Sequence, residues 1–330
     1  MEISTRTIQG HDFILLKNSA GISLELSSFG AGIREVLFHD VPMTLSPKSD
    51  EAYLHDDVFF FGKLIGPVAG RLDEGRFPGK DEFRFPVGEN GITLHSETLD
   101  YAFDEFPYFV EETKDGARVV FRATIPPKKG YPASVEVRVE YFLFEDKASF
   151  TMEIYGAPSK EAPIHLTNHV YWNLAEDSLE DDLLWLDASE VVSYSPRLLP
   201  LKRVLVSGPL DFCSPQKIGP AAEIIEKESP TLGGIDHGFY VNKREYEVPT
   251  YVLSTPKYRL SIGTDAKAFQ IYSFNFPKPG YEFSFPVSPK KRIALTSEPV
   301  LDSTELATDF LFSPTHPFIT KTMFTLEEVL

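Results

Sequence analysis

The chain has a single cysteine, Cys213. A lone thiol cannot close an internal disulfide, so the fold is expected to stand without an oxidising compartment. There is no cysteine cluster for a thiolate metal site, no glycine-rich phosphate loop and no GxSxG nucleophile turn. No apolar run reaches the ~18 residues a membrane-crossing helix needs. The opening residues, MEISTRTIQGHDF, lack the apolar stretch of a secretory leader. A cytoplasmic location is therefore expected. Positive charge is also scarce: 32 Lys and Arg stand against 49 Asp and Glu, a net charge of −17. Nucleic-acid binding draws its affinity from clustered Lys and Arg, so neither nucleic acid nor an anionic membrane is an expected partner. A neutral small molecule is. Helical periodicity is rare too, with PAAEIIEKE at 220–228 its one good stretch.

What the chain does contain is alternation. Ile22, Leu24 and Leu26 alternate with Ser23, Glu25 and Ser27; Val135, Val137 and Val139 with Glu136, Arg138 and Glu140; Phe150, Met152 and Ile154 with Ser149, Thr151 and Glu153. YRLSI at 258–262 repeats the pattern. Period two is the mark of strands with one buried and one wet face. Turn sequences lie between the runs, such as Lys114-Asp115-Gly116 and Pro277-Lys278-Pro279-Gly280. With 42% apolar residues, 26 prolines and 27 phenylalanines over 330 residues, the expected architecture is all-β: a large antiparallel β-sandwich with few short helices. No fixed-period repeat or low-complexity linker divides the chain, so residues 1–330 are expected to form one domain.

Four short segments carry more polar chemistry than a sandwich requires. In GPVAGRLDEGRF, 66–77, Arg71 sits among glycines; its planar fork of donors suits hydroxyl or carboxylate oxygens, or it is a surface arginine in a turn. In NGITLHSE, 90–97, Asn90-Gly91 signals a turn and His95 ends a short strand, in a structural or a functional role. HLTNHVYWNL, 165–174, packs two histidines, two asparagines and two large aromatics into ten residues. On a strand His165 and His169 would share a face but stand ~13 Å apart at ~3.3 Å per residue. One metal ion cannot bridge that, and the glutamate of HExxH is missing, so no metal is expected. His169 is either a satisfied core histidine or a proton carrier, since imidazole titrates near neutrality. In GGIDHGFYV, 233–241, Asp236 caps a turn or accepts from a ligand's hydroxyls; near the C-terminus Glu298 precedes Pro299. Together Arg71, His95, His169, Asp236 and Glu298 suit hydroxyl recognition and acid–base chemistry without a cofactor.

These segments, in this order, resemble the aldose 1-epimerases, the galactose mutarotase family. HLTNHVYWNL is close to that family's TNHxYxNL motif and is the most specific match. GPVAGRLDEGRF is similar to its arginine motif, with Pro67 where arginine is more usual; LHSE resembles LHGG. SFGAGIREVLF at 28–38, KKGYPASVEVRVEYFL at 128–143, GIDHGFYV and FQIYSFNF at 269–276 resemble further family segments. The resemblance implies a β-sandwich without cofactor, with His169 as general acid, Glu298 as general base, and Arg71, His95 and Asp236 as binders of sugar hydroxyls. His165, Asn168 and Tyr171 are at most supporting residues by the same comparison. One departure concerns Glu298. An ungapped match on Leu295 and Asp302 places Thr296 at the family's glutamate, whereas a shift of two matches Glu298-Pro299 to the common Glu-Pro form. The implied reaction is interconversion of the α and β anomers of a free hexose. Rivals are a mutarotase for phosphorylated hexoses, with basic residues such as Lys63, Arg76 or Lys80 at the pocket mouth, a non-catalytic sugar-binding protein on the same fold, and a glycosidase using Asp236 and Glu298, whose carboxyls would lie ~5–9.5 Å apart.

Overall fold

The computed structural model describes residues 1–284, 292, 294–296 and 310–329. Among them every strand pair of the named sheets is antiparallel. A five-stranded meander runs from Glu2–Ile8 through His11–Lys17, Ile22–Ser27 and Gly32–Phe38 to Val41–Pro42. A nine-stranded sheet is centred on Phe318–Glu328, which lies between Ser149–Pro158 and Tyr258–Thr264. The strand Val135–Phe144 shows the expected pattern: Val135, Val137, Val139, Tyr141 and Leu143 are fully buried, and the intervening residues are partly exposed. These side chains join Ile14, Leu24 and Leu26 of the meander in one continuous apolar core. Each such Val, Leu or Ile contributes roughly 1.5–3 kcal/mol by leaving water. The all-β sandwich expected from alternation is the observed architecture.

The strand Ile22–Ser27 departs from its reading: Ser23 and Ser27 are buried, so its polar face is covered. The buried Ser27 hydroxyl is satisfied by the Phe29 amide, which donates to it at 3.2 Å. The predicted helix exists as Ile218–Glu228, and a shorter one, Asp50–Leu54, is capped by Ser49, whose hydroxyl accepts from Ala52 N. No described helix is long and apolar enough to cross a membrane.

A four-stranded sheet, Pro200–Leu205, Ala188–Tyr194, Asp236–Val241 and Ala268–Tyr272, carries one side of the site. Two-stranded ladders carry the other: Leu64–Ile65 with Thr167–Asn168, Arg71–Asp73 with Ile92–Leu94, and Tyr171–Trp172 with Leu295–Thr296.

Candidate active site

The motif around His169 is not one continuous strand. Thr167–Asn168 and Tyr171–Trp172 pair with different partners, and His169 lies in the break between them. Its amide donates to Lys63 O at 3.0 Å and its carbonyl accepts from Gly62 N at 2.9 Å. His165 turns to Ala69 O, 3.2 Å from Nδ1, and packs on the Phe310 ring. The expected shared strand face of His165 and His169 is thus corrected. The imidazole beside His169 is that of His95, edge to face with ring centroids 5.3 Å apart.

His95 sits on a strained backbone. His95, Ser96 and Glu97 have φ of +50°, +64° and +52°, a left-handed run that costs roughly 1–2 kcal/mol per residue. Hydrogen bonds hold it there. The Ser96 hydroxyl accepts from Val68 N at 3.0 Å and donates to Val68 O at 2.9 Å. His95 N donates to Gly70 O at 2.9 Å, and Gly70 N donates back to His95 Nδ1 at 3.3 Å. With Nδ1 accepting, the neutral ring carries its proton on Nε2, which makes Nε2–H a donor.

Asp236 opens its strand, and Gln270 stands diagonally across the ladder, since Asp236 faces Tyr272 and Gly238 faces Gln270. Gln270 Nε2 donates to Asp236 Oδ1 at 2.8 Å, and Arg71 Nη2 donates to Oδ2 at 2.9 Å. The Tyr194 hydroxyl bonds Gln270 Oε1 at 3.3 Å. Asp236 is thus fixed from two sides, and the chain Tyr194–Gln270–Asp236–Arg71 orients the guanidinium.

Arg71, His95, His169, Asp236 and Gln270 line one cavity of about 220 Å³. That is just below the ~300–1,000 Å³ usual for drug-sized ligands, a size suited to a single sugar ring. Phe59, Phe60, Tyr171 and Tyr272 wall it. The cavity adjoins a wider groove of about 1440 Å³ that shares Phe60, Arg71 and Lys278 as lining. Lys63, Arg76 and Lys80 are not at this mouth. Lys63 is fully buried, Arg76 pairs with Glu74 and Lys80 with Glu161. Trp172 is fully buried against Phe324, so Tyr171 is the aromatic of the motif that reaches the cavity.

Burial pushes the His169 imidazole down to about 4, outweighing the raising effects of its own backbone and of Asp236. His95 is held well below its ordinary value by burial first, then by His169 and Arg71. By charge alone a neighbouring carboxylate raises a histidine pKa, and Asp236 is the sequence's candidate for that role at His169; desolvation wins over it, and the cavity holds two neutral imidazoles at pH 7. No group of His, Cys, Asp and Glu that could hold a metal occurs among the described residues.

Glu298 lies outside the described residues. Thr296, its rival in register, is buried, with its hydroxyl accepting from Tyr272 N at 2.9 Å and donating to Gln270 O at 3.3 Å. It faces Tyr171 across the ladder. Gln270, Phe60 and Lys278 are among the cavity residues that reading the sequence missed. The Phe-Phe-Phe run at 59–61, with no alternation to make it a strand, was the available signal for the second.

The antiparallel sandwich thus holds a small cavity in which aromatic rings surround Arg71, His95, His169, Asp236 and Gln270. The aldose 1-epimerase family model matches residues 12–301, and the chain belongs to that family. Aldose 1-epimerases of Haemophilus influenzae and Escherichia coli K12 are 25% and 26% identical to it, over 81% and 89% of this chain and 79% and 88% of theirs. Mouse galactose mutarotase is 27% identical over 68% of this chain and 65% of its own. The galactose 1-epimerase structure from Lactobacillus acidophilus NCFM superposes with a TM-score of 0.90 at 22% identity, covering 100% of this chain and 99% of that one. The GalM/aldose epimerase homologue from C. elegans gives 0.83 at 20%, over 99% and 100%.

Proposed function

We propose that the protein interconverts the α and β anomers of a free hexose such as galactose or glucose. The observation that carries this reading is the convergence of Arg71, His95, His169 and Asp236 on one cavity of single-sugar size. Residues from four separated segments meet there, in a chain of the aldose 1-epimerase family.

Glu298 takes the proton from the anomeric hydroxyl while His169, in its protonated form, gives one to the ring oxygen, and the C1–O5 bond breaks. The open aldehyde turns about C1–C2 and presents its other face. The reverse transfers close the ring, so protons balance and no cofactor is consumed. Glu298 is assigned as the base by the family's Glu-Pro form, while Thr296, its rival in register, engages its hydroxyl with Tyr272 N and Gln270 O. Arg71, His95 and Asp236 hold ring hydroxyls so that C1 and O5 meet the acid and the base. Lys63, Arg76 and Lys80 are buried or paired elsewhere, which counts against a phosphate site built on them; Lys278, which lines the cavity and the groove, is the cation a phosphorylated hexose would use, and that hexose is the rival substrate.

Polarimetry tests this. Freshly dissolved α-D-galactose or α-D-glucose should relax faster with protein than without, and His169→Asn should lose roughly 10²–10⁴-fold in rate. No acceleration with either sugar would refute the reading. Nitrophenol released from a nitrophenyl galactoside would replace it with glycoside hydrolysis.

A further inference from the structure

The segment between Asp56 and Lys63 has no regular secondary structure, yet it supplies Val58, Phe59 and Phe60 to the cavity wall. A buried stretch of irregular chain must satisfy its backbone groups by other means. Asp56 and Lys63 do most of this from within. The Asp56 carboxylate accepts from the amides of Val58, Phe59 and Phe61 at 3.2, 3.0 and 3.2 Å, and from the Tyr281 hydroxyl at 3.2 Å. The Lys63 ammonium, fully buried, donates to the Asp56 carbonyl at 2.8 Å and so closes the segment into a ring. It faces the rings of Phe29, Tyr53 and Phe103 at 5.1, 5.2 and 5.6 Å.

Two links run from Lys63 to the chemistry. Its carbonyl receives the His169 amide, and its neighbour Gly62 donates to the His169 carbonyl. Phe103, under the ammonium, packs on Phe60 with centroids 5.8 Å apart, and Phe60 in turn lies 5.6 Å from His95 and 6.2 Å from His169.

We propose that Lys63 is a positioning residue for this site, acting with Asp56 to hold the Val58–Phe60 wall against the two imidazoles. Nothing in the proposal requires Lys63 to touch the ligand. A buried lysine is an expensive group to place there, because burial alone pulls its ammonium down to about 8 despite Asp56, Asp100 and Asp57. A methionine would fill the same space at lower cost. Packing alone therefore does not account for it, whereas closure of the Asp56–Lys63 ring does.

The kinetic arm of the test rests on the mutarotase reading; the exchange arm does not. Lys63→Met removes the ammonium and keeps the volume, and Asp56→Asn weakens the acceptor of the three amides. For Lys63→Met, amide exchange at 57–62 should quicken by roughly tenfold while exchange in the nine-stranded sheet is unchanged. The KM for galactose should rise roughly tenfold with kcat changed less than about threefold. A merely structural lysine would lower the active fraction and leave KM alone. Unaltered exchange at 57–62 would overturn the proposal, whatever the activity. An unaltered KM in a protein with normal turnover would overturn it too. If Lys63→Met does not fold, Asp56→Asn decides by the same two readouts. A wild type without activity on any aldose would refute the mutarotase reading and leave exchange to judge this one.

Discussion

At the residue scale the decisive quantity is desolvation. His169 is 6% exposed, and burial brings its imidazole to about 4. If His169 acts as the acid in its protonated form, that form is a minor one at pH 7 in the free enzyme. The dependence of kcat/KM on pH reports free-enzyme groups. It is therefore expected to rise as pH falls from 8 toward 5, because each unit increases the protonated fraction, until the base itself is neutralised. The measurement is initial-rate polarimetry across that range. A flat profile between 8 and 5 would assign the working form to the neutral imidazole, donating a hydrogen bond to O5. His95 differs from His169 in that Gly70 N fixes its tautomer. It is suited to donating to a hydroxyl through Nε2–H and poorly suited to changing charge.

Among the elements, the hairpin Arg71–Asp73 with Ile92–Leu94 does the most for the site. Arg71 faces Leu94 in its register, so the residue after the hairpin is His95. Arg71 and His95 are thereby brought into one cavity although they are 24 positions apart. The left-handed run at 95–97 follows at once, and the Ser96 hydroxyl holds it through both polar groups of Val68. Ser96→Ala leaves the buried Val68 N–H without that acceptor, at a cost of about 1–3 kcal/mol. Urea unfolding should show this loss, and activity should fall further than stability alone requires, because His95 shifts with the run. A variant as stable and as active as the wild type would mean that the backbone holds its shape without the hydroxyl.

Over the whole molecule, buried imidazoles link stability to pH. Burial places His165 at about 3 and His169 and His237 at about 4, with His95 well below its ordinary value. In the unfolded chain each titrates near 6.5. Below that pH the unfolded state takes up protons that the folded state refuses, so this part of stability is complete above about 6.5 and is lost as pH falls toward 4. Each uncompensated imidazole removes ~1.4 kcal/mol per pH unit across that interval. Asp182, pushed up to about 7 by burial, and Asp100, raised well above its usual range by burial, act in the opposite sense. Their contribution is complete below about 3.8 and fades as pH rises through their folded values. Glu35, raised by burial, acts with these two carboxyls, and among the described residues four imidazoles against three carboxyls leave a net loss on acidification. The urea midpoint is expected to drop steadily between pH 6 and 4, and a midpoint constant over that range would contradict it.

The sequence by itself determined the sandwich, the scarcity of helix among the described residues and four residues of the cavity. Alternation at Val135–Phe144 is a local property: each side chain's face follows from its position in the strand, whatever the partner. Arg71, His95, His169 and Asp236 were legible because their residue types stand out against apolar or glycine-rich neighbours. Only the tertiary structure decided who meets whom. His169 was expected to share a strand face with His165 four residues away, yet it abuts His95, 74 positions distant. The chain breaks its ladder at His169 and bonds to Lys63 and Gly62 instead. Protonation was likewise decided by the fold, since the pKa of an imidazole depends on how much water is removed from it, and no spacing of letters encodes that. Lys63 makes the same point. In the sequence it is a candidate cation for a pocket mouth, and in the fold it is a fully buried tie: Asp56 and Tyr53 lie near it in the chain, but Phe29 and Phe103, which complete its surroundings, are brought there only by long-range contacts.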